Sequence, residues 1–129
     1  MNAMSFARTL LLGAMIAPPA FAEGPMFSEQ GGEALYANVC QACHMQDGKG
    51  ASGAGTYPSL AGNPKLEAGG YPATLVVRGQ KGMPAVGRMM SDAQVAAVVN
   101  YVRTHFGNAY ATPVTLDDVK RLSADTGGN

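Results

Sequence analysis

With 129 residues, nine basic and nine acidic side chains, the chain is short and electrically balanced. That length allows one domain at most, and the missing basic surface excludes nucleic acid as a partner. Two cysteines, no tryptophan and many small residues make a poor core, so a staple is expected.

The start, "MNAMSFARTLLLGAMIAPPAFA", runs from Arg8 through an apolar stretch, Leu10 to Ala17, to Ala20-Phe21-Ala22. A charged start, a short apolar run and an A-x-A site make 1–22 a cleaved secretory signal peptide. The mature chain, 23–129, is then a single soluble domain, expected to be monomeric. It has no expected membrane span, because the leader is short and nothing later could stop transfer.

"SEQGGEALYANVCQAC" reads as the first helix, with Ser28 as its N-cap and Glu29 and Glu33 near its positive end. Leu35 and Val39 stand one turn apart, and Cys40 and Cys43 lie at the C-terminal end. "GKGASGAGTYPSLAGNP", residues 48–64, reads as an extended loop with at most one helical turn, because glycine and proline break regular structure. A weak helix at Leu66–Glu67 and a better one over Ala73–Arg78, stopped by Gly79, lead to a second loop, "GQKGMPAVGRMM". "SDAQVAAVVNYVRTHFG" is the strongest helix. Ser91 and Gln94 form a capping box, Val95, Val98, Val99, Val102 and Phe106 form one stripe, and Gly107 stands at the C-cap. A C-terminal extension, 108–129, carries a short helix over Thr115–Leu122, with Asp118 at N3 and a fraying tail "SADTGGN". Without repeats or alternating strand patterns, the domain reads as all-α.

The chemistry lies in "VCQACHM", residues 39–45. A disulfide oxidoreductase carries its C-x-x-C at a helix N-terminus in a β-α-β setting, whereas this pair closes a helix. A structural zinc site needs four ligands, and beyond the motif only His105 is left. A disulfide across three positions closes almost no loop and stabilises little. C-x-x-C-H is the covalent haem attachment motif: Cys40 and Cys43 become thioethers, and His44 becomes the proximal iron ligand. The single haem c is then the staple that supplies the core.

A methionine opposite the imidazole suits an electron carrier, since a soft thioether favours ferrous iron. Of the five methionines after the leader, Met45 follows the proximal histidine and cannot reach the opposite face, and Met26 precedes the first helix. Met83, in a loop bent by Gly79, Gly82, Pro84 and Gly87, is the expected ligand. Met89 and Met90 are the alternatives, with core packing beside the last long helix as their other role.

From Gly32 to Gly107 the chain resembles a class I cytochrome c. The resemblance rests on Gly32 and Tyr36, eight and four positions before the first haem cysteine, on Pro58 in "TYPSLAG", and on "GMPAVGRMMSDAQVAAVVNYVRTHFGN". It implies three to five helices around one covalently bound haem. Gly32 and Tyr36 would pack against Val98 and Tyr101, the Pro58 carbonyl would hold the His44 Nδ1, and Leu60 would pack on the haem. The last stretch is similar to cytochromes serving bacterial periplasmic dehydrogenases, which often carry Phe where Val86 stands here. This implies a periplasmic one-electron carrier that is not itself an enzyme. Its donor would be a flavin- or quinone-cofactor dehydrogenase, and its acceptor an oxidase or another cytochrome. The rival readings are a fixed subunit of a dehydrogenase complex, with the segment after Gly107 as a docking arm, and a small haem peroxidase or ligand sensor.

Some features stay outside that reading. "GKGASG" matches G-x-G-x-x-G, yet no strand precedes it, so its glycines are expected to let backbone pass close to the haem. His105 has no assigned role. Arg78, Lys81, Arg88 and Lys49 read either as solvated charge or as a basic rim that steers an acidic partner.

Overall fold

The structure is a computed structural model that describes residues 24–126. The leader, 1–22, lies outside the described residues, as do residues 23 and 127–129. Helix α1, Gly32–Leu35, passes into a π-helical turn, Tyr36–Cys40, and then into α2, Gln41–His44. One continuous run of helical backbone therefore carries both cysteines and the histidine. Its wide π turn falls just before them, and such turns are rare and often found at functional sites.

Ser28 is not the cap: the helix starts after Gly31, with no side-chain cap. The crossing against a later helix decides this start. A Cβ on Gly32 would stand 2.6 Å from the Cβ of Tyr101, so only a glycine lets the two backbones approach so closely. Residues 27–29 instead lie along that later helix, where Gln94 Nε2 donates to the carbonyls of Phe27 and Glu29, both at 2.7 Å.

The expected extended loop contains a small antiparallel pair, β1 (Ala51–Ser52) with β2 (Thr56–Tyr57), in place of a helical turn. A 3-10 turn, Pro64–Leu66, precedes α3, Gly70–Arg78. The turn begins before the expected Leu66 because Pro64 is preset for a first helical position and Asn63 caps it through the Lys65 N–H. Helix α3 begins before the expected Ala73, since Pro72 in a first turn lacks only an N–H that has no helical partner.

A second 3-10 turn, Val86–Met89, leads to α4, Asp92–Thr104, which opens on the complete Ser91–Gln94 capping box. Helix α4 ends before the stripe predicts. His105 is extended, and Phe106 (φ 56°) and Gly107 (φ 79°) turn left-handed, which brings the Phe106 ring 4.8 Å from that of Tyr36.

Helix α5, Leu116–Ala124, is capped by Thr115, and Asp118 reciprocates. Hydrogen bonds from the Thr115 hydroxyl and backbone hold the Asp118 carboxyl below its usual range. The segment after Gly107 belongs to the core. Val114 and Val119 are buried, and Asn100 bonds both the N–H and the carbonyl of Val114. Residues 123–126 of the tail expected to fray are held in place, since Ser123 donates to Asp92 at 2.8 Å and Asp125 pairs with Arg78.

Arg103, only 2% exposed, lies beneath this layer. Its guanidinium donates to the carbonyls of Leu66, Glu67 and Thr112, and no described carboxylate pairs with it.

Candidate haem site

Helix α2 ends on His44, which is 7% exposed, and its Nδ1 lies 2.9 Å from the Pro58 carbonyl oxygen. A carbonyl can only accept, so Nδ1 carries a proton, and Nε2 is the ring nitrogen left to bind a metal. The same bond fixes the orientation of a metal-binding imidazole.

Backbone closure brings Pro58 to this place. The Gly48 carbonyl accepts from the N–H groups of Leu60 (2.6 Å) and Ala61 (3.0 Å), and Gly50 N–H donates to the His44 carbonyl at 3.0 Å. Gly50 has φ +67°, and a Cβ there would stand 2.8 Å from the Pro58 carbonyl carbon. The nucleotide-like glycine spacing therefore serves this fold-back.

Cys40, His44, Pro58, Leu60 and Met83 line one apolar cleft. Its back wall comes from Val98, Val99 and Val102 of α4. The cleft offers about 160 Å³ of space behind an open mouth. An apolar disc held by thioether and imidazole fits such a lining. Cys43 is half-buried and does not line the cleft, and both cysteines are free of disulfide. Burial, with a smaller contribution from Cys43, pushes the Cys40 thiol up to about 12. A thiol kept protonated is a poor redox nucleophile.

Of the five methionines after the leader, Met83 alone lines the cleft. Met90 is buried in the core, Met89 is half-buried away from the cleft, and Met26 is 74% exposed. Met45 contributes through its backbone: its carbonyl accepts the Tyr36 hydroxyl at 2.7 Å, and burial pushes that hydroxyl up to about 12.

Met83 and Gln80 exchange two backbone hydrogen bonds of 2.9 Å, which close a tight turn. Gly79 makes the turn possible, with φ +69° and no Cβ; an added one would stand 2.7 Å from the Met83 carbonyl oxygen and 2.8 Å from the Ala85 nitrogen. Gly79→Ala is expected to cost about 1–2 kcal/mol for the left-handed backbone alone. The spectral signature of methionine ligation should weaken while covalent haem stays in place. Thermal unfolding and the ferric absorption spectrum check both outcomes.

The expected rim is partly neutralised: Arg78 pairs with Asp125 and Lys49 with Asp47, both at 3.7 Å. Lys81 and Arg88 make no ion pair among the described residues. His105 stacks on Tyr101, away from the cleft, with ring centroids 4.0 Å apart.

Sequence reasoning missed Asn108, which is 6% exposed. Its side chain donates to the carbonyls of Leu60 (2.8 Å) and Val102 (2.9 Å) and accepts from Asn63 N–H (2.9 Å), tying the Pro58 loop to the end of α4. The only local signal is an asparagine after a C-capping glycine.

A family described as cytochrome C oxidase, cbb3-type, subunit III matches residues 28–102. The chain is 39% identical over 108 residues to the fructose dehydrogenase cytochrome subunit of Gluconobacter japonicus, covering 72% of this chain and 22% of that one. It is 36% identical over 108 residues to the gluconate 2-dehydrogenase cytochrome c subunit of Pantoea cypripedii, covering 74% and 24%. Cytochrome c-552 of Thermus thermophilus is 34% identical over 121 residues, which cover 78% of this chain and 80% of that protein. The chain thus spans between a fifth and a quarter of the dehydrogenase subunits, and most of the small cytochrome. With the attachment motif, the apolar cleft and these likenesses together, the chain belongs to the cytochrome c family, whose cofactor is a covalently bound haem.

Proposed function

We propose that this chain is a periplasmic one-electron carrier, and the convergence of Cys40, His44, Pro58 and Met83 on one apolar cleft carries the reading. In it, Cys40 and Cys43 would hold haem c as thioethers, and His44 and Met83 would be the two side chains that ligate its iron. Pro58 orients the imidazole through Nδ1, and Leu60 packs on the ring. Bound there, the haem supplies one iron that accepts and returns a single electron. The chain's own part is to keep both ligands in place and to exclude water with the α4 valines. A methionine in the sixth position disfavours a peroxidase or ligand sensor, which needs that position open.

The donor proposed is a periplasmic flavin- or quinone-cofactor dehydrogenase, and the acceptor an oxidase or another cytochrome. Support for the donor comes from the likeness to dehydrogenase cytochrome subunits. Likeness over most of a small cytochrome favours a free carrier, a monomer, over a fixed subunit. The packing of α5 into the core also argues against a docking arm. Among the described residues no helix is long and apolar enough to cross a membrane.

The test offers oxidised protein to candidate dehydrogenases with their substrates and follows haem reduction. A suitable partner should reduce it within turnover times, and failure with every such enzyme would overturn the donor assignment. Lys81→Glu should slow reduction more at low than at high salt, since exposed charges are screened over about 10 Å at 0.1 M. Equal slowing would rule out steering by Lys81.

A further inference from the structure

We propose that Asn108 is a positioning residue for the His44 imidazole, acting on it through the segment from Pro58 to Leu60; this rests on the reading that His44 binds the haem iron. The oxygen that accepts from His44 Nδ1 belongs to a residue that cannot hold itself in place. Pro58 is exposed, so burial does not fix it, and as a proline it has no N–H to anchor its own backbone. Its one backbone polar group is the carbonyl turned to His44. The neighbours on either side therefore set where that oxygen lies.

Ahead of Pro58 the restraint is the two-residue pairing of β1 with β2, and both residues of β2 are exposed. Behind it the hold is stronger. The Leu60 N–H donates to Gly48 while the Leu60 carbonyl accepts from Asn108 Nδ2 at 2.8 Å, so the residue two positions after Pro58 is gripped on both sides. Gly62 N–H donates to the Phe106 carbonyl at 3.0 Å, and Asn63 N–H donates to Asn108 Oδ1 at 2.9 Å. Residues 60–63 are thus fastened to residues 106–108.

Asn108 is the part of this fastening that a side chain supplies, and its amide is fully committed. Both Nδ2 hydrogens face carbonyls, those of Leu60 and Val102, and Oδ1 faces the Asn63 N–H, so one orientation of the amide satisfies all three. Its own N–H donates to the His105 carbonyl at 3.0 Å, which fixes the backbone from which the amide reaches inward. Burial keeps water from competing for these bonds. Because Leu60 and Val102 both line the cleft, a single amide joins the loop that orients the imidazole to the wall behind it.

The test is hydrogen exchange by NMR of the ferrous holoprotein, with redox titration, for the unmodified chain, Asn108→Asp and Val119→Ala. Asn108→Asp keeps the shape but removes the Nδ2 donors. Val119 is buried in α5 and does not line the cleft, so its truncation lowers stability without touching the loop. In Asn108→Asp the His44 Nδ1–H should exchange about tenfold faster, as the loss of about one hydrogen bond from local stability implies. The reduction potential should rise, because an imidazole with a weaker Nδ1–H bond is less basic and holds ferric iron less well. Val119→Ala should leave the potential where it is. An unmoved exchange rate and potential in Asn108→Asp, or an equal movement of both in Val119→Ala, would overturn the positioning role alone. The unmodified protein gives a check that does not depend on a variant folding: the Asn108 amide hydrogens and the His44 Nδ1–H should lose protection together as urea is raised below the unfolding transition. A freely exchanging Asn108 amide beside a protected His44 Nδ1–H would also overturn the role. Unmodified protein without covalent haem, or with iron not bound by His44, would instead overturn the haem reading and this one with it.

Discussion

The double variant Cys40→Ala, Cys43→Ala is expected to carry no covalent haem and to lose cooperative tertiary structure. The cleft behind Cys40 is walled by core residues from the 3-10 turn before α3, from α3 and from α4: Leu66, Val76, Val98, Val99 and Val102. Those same side chains make up much of the core of a chain without tryptophan. Unfilled apolar space costs about 24 cal/mol per Å³. If the roughly 160 Å³ of the cleft stayed empty inside the fold, the cost would be on the order of 4 kcal/mol. That is a large share of the whole stability of a small domain, about 5–15 kcal/mol. The haem thus acts as core as well as redox centre. Haem staining after denaturing electrophoresis and far-ultraviolet circular dichroism check the two halves of the expectation. A double variant that keeps haem through denaturation would contradict the attachment.

Arg103→Leu should be the most damaging change outside the haem ligands and attachment residues. Arg103 is 2% exposed, and its guanidinium donates to three backbone carbonyls from two separate segments. Truncation leaves those acceptors without donors in a place water cannot easily reach, at about 1–3 kcal/mol for each buried group. A loss of at least about 3 kcal/mol is expected, read as a lower midpoint in urea with little change of slope. The damage should reach the site, because the Leu66 carbonyl and Asn63 belong to the loop that follows Pro58. A midpoint close to that of the unmodified protein would show that the carbonyls find other donors.

The parts legible in sequence were those set by local chemistry. C-x-x-C-H announces its cofactor through spacing, and Ser91 with Gln94, like Thr115 with Asp118, announces a helix start within four residues. Chain geometry set aside Met26 and Met45 and left Met83 as the expected ligand with Met89 and Met90 as alternatives; of the three, Met83 lines the cleft. Other features depend on contacts between distant segments. Gly32 starts the first helix because Tyr101 approaches it, not because a cap stands before it. Phe106 leaves the helical stripe for Tyr36, and Asn108 reaches back 45 positions or more to the Pro58 loop. Nothing local in the sequence marks Arg103, since its carbonyl partners lie on distant segments of the chain.

The most direct test of the account is the absorption spectrum of the ferric protein, recorded for the unmodified chain and for Met83→Ala, Met89→Ala and Met90→Ala. The unmodified protein and the Met89 and Met90 variants should show the charge-transfer band of a methionine sulfur on ferric haem, and Met83→Ala alone should lose it. Absence of that band from the unmodified protein, or its survival in Met83→Ala, would contradict the pairing of His44 with Met83 across one haem.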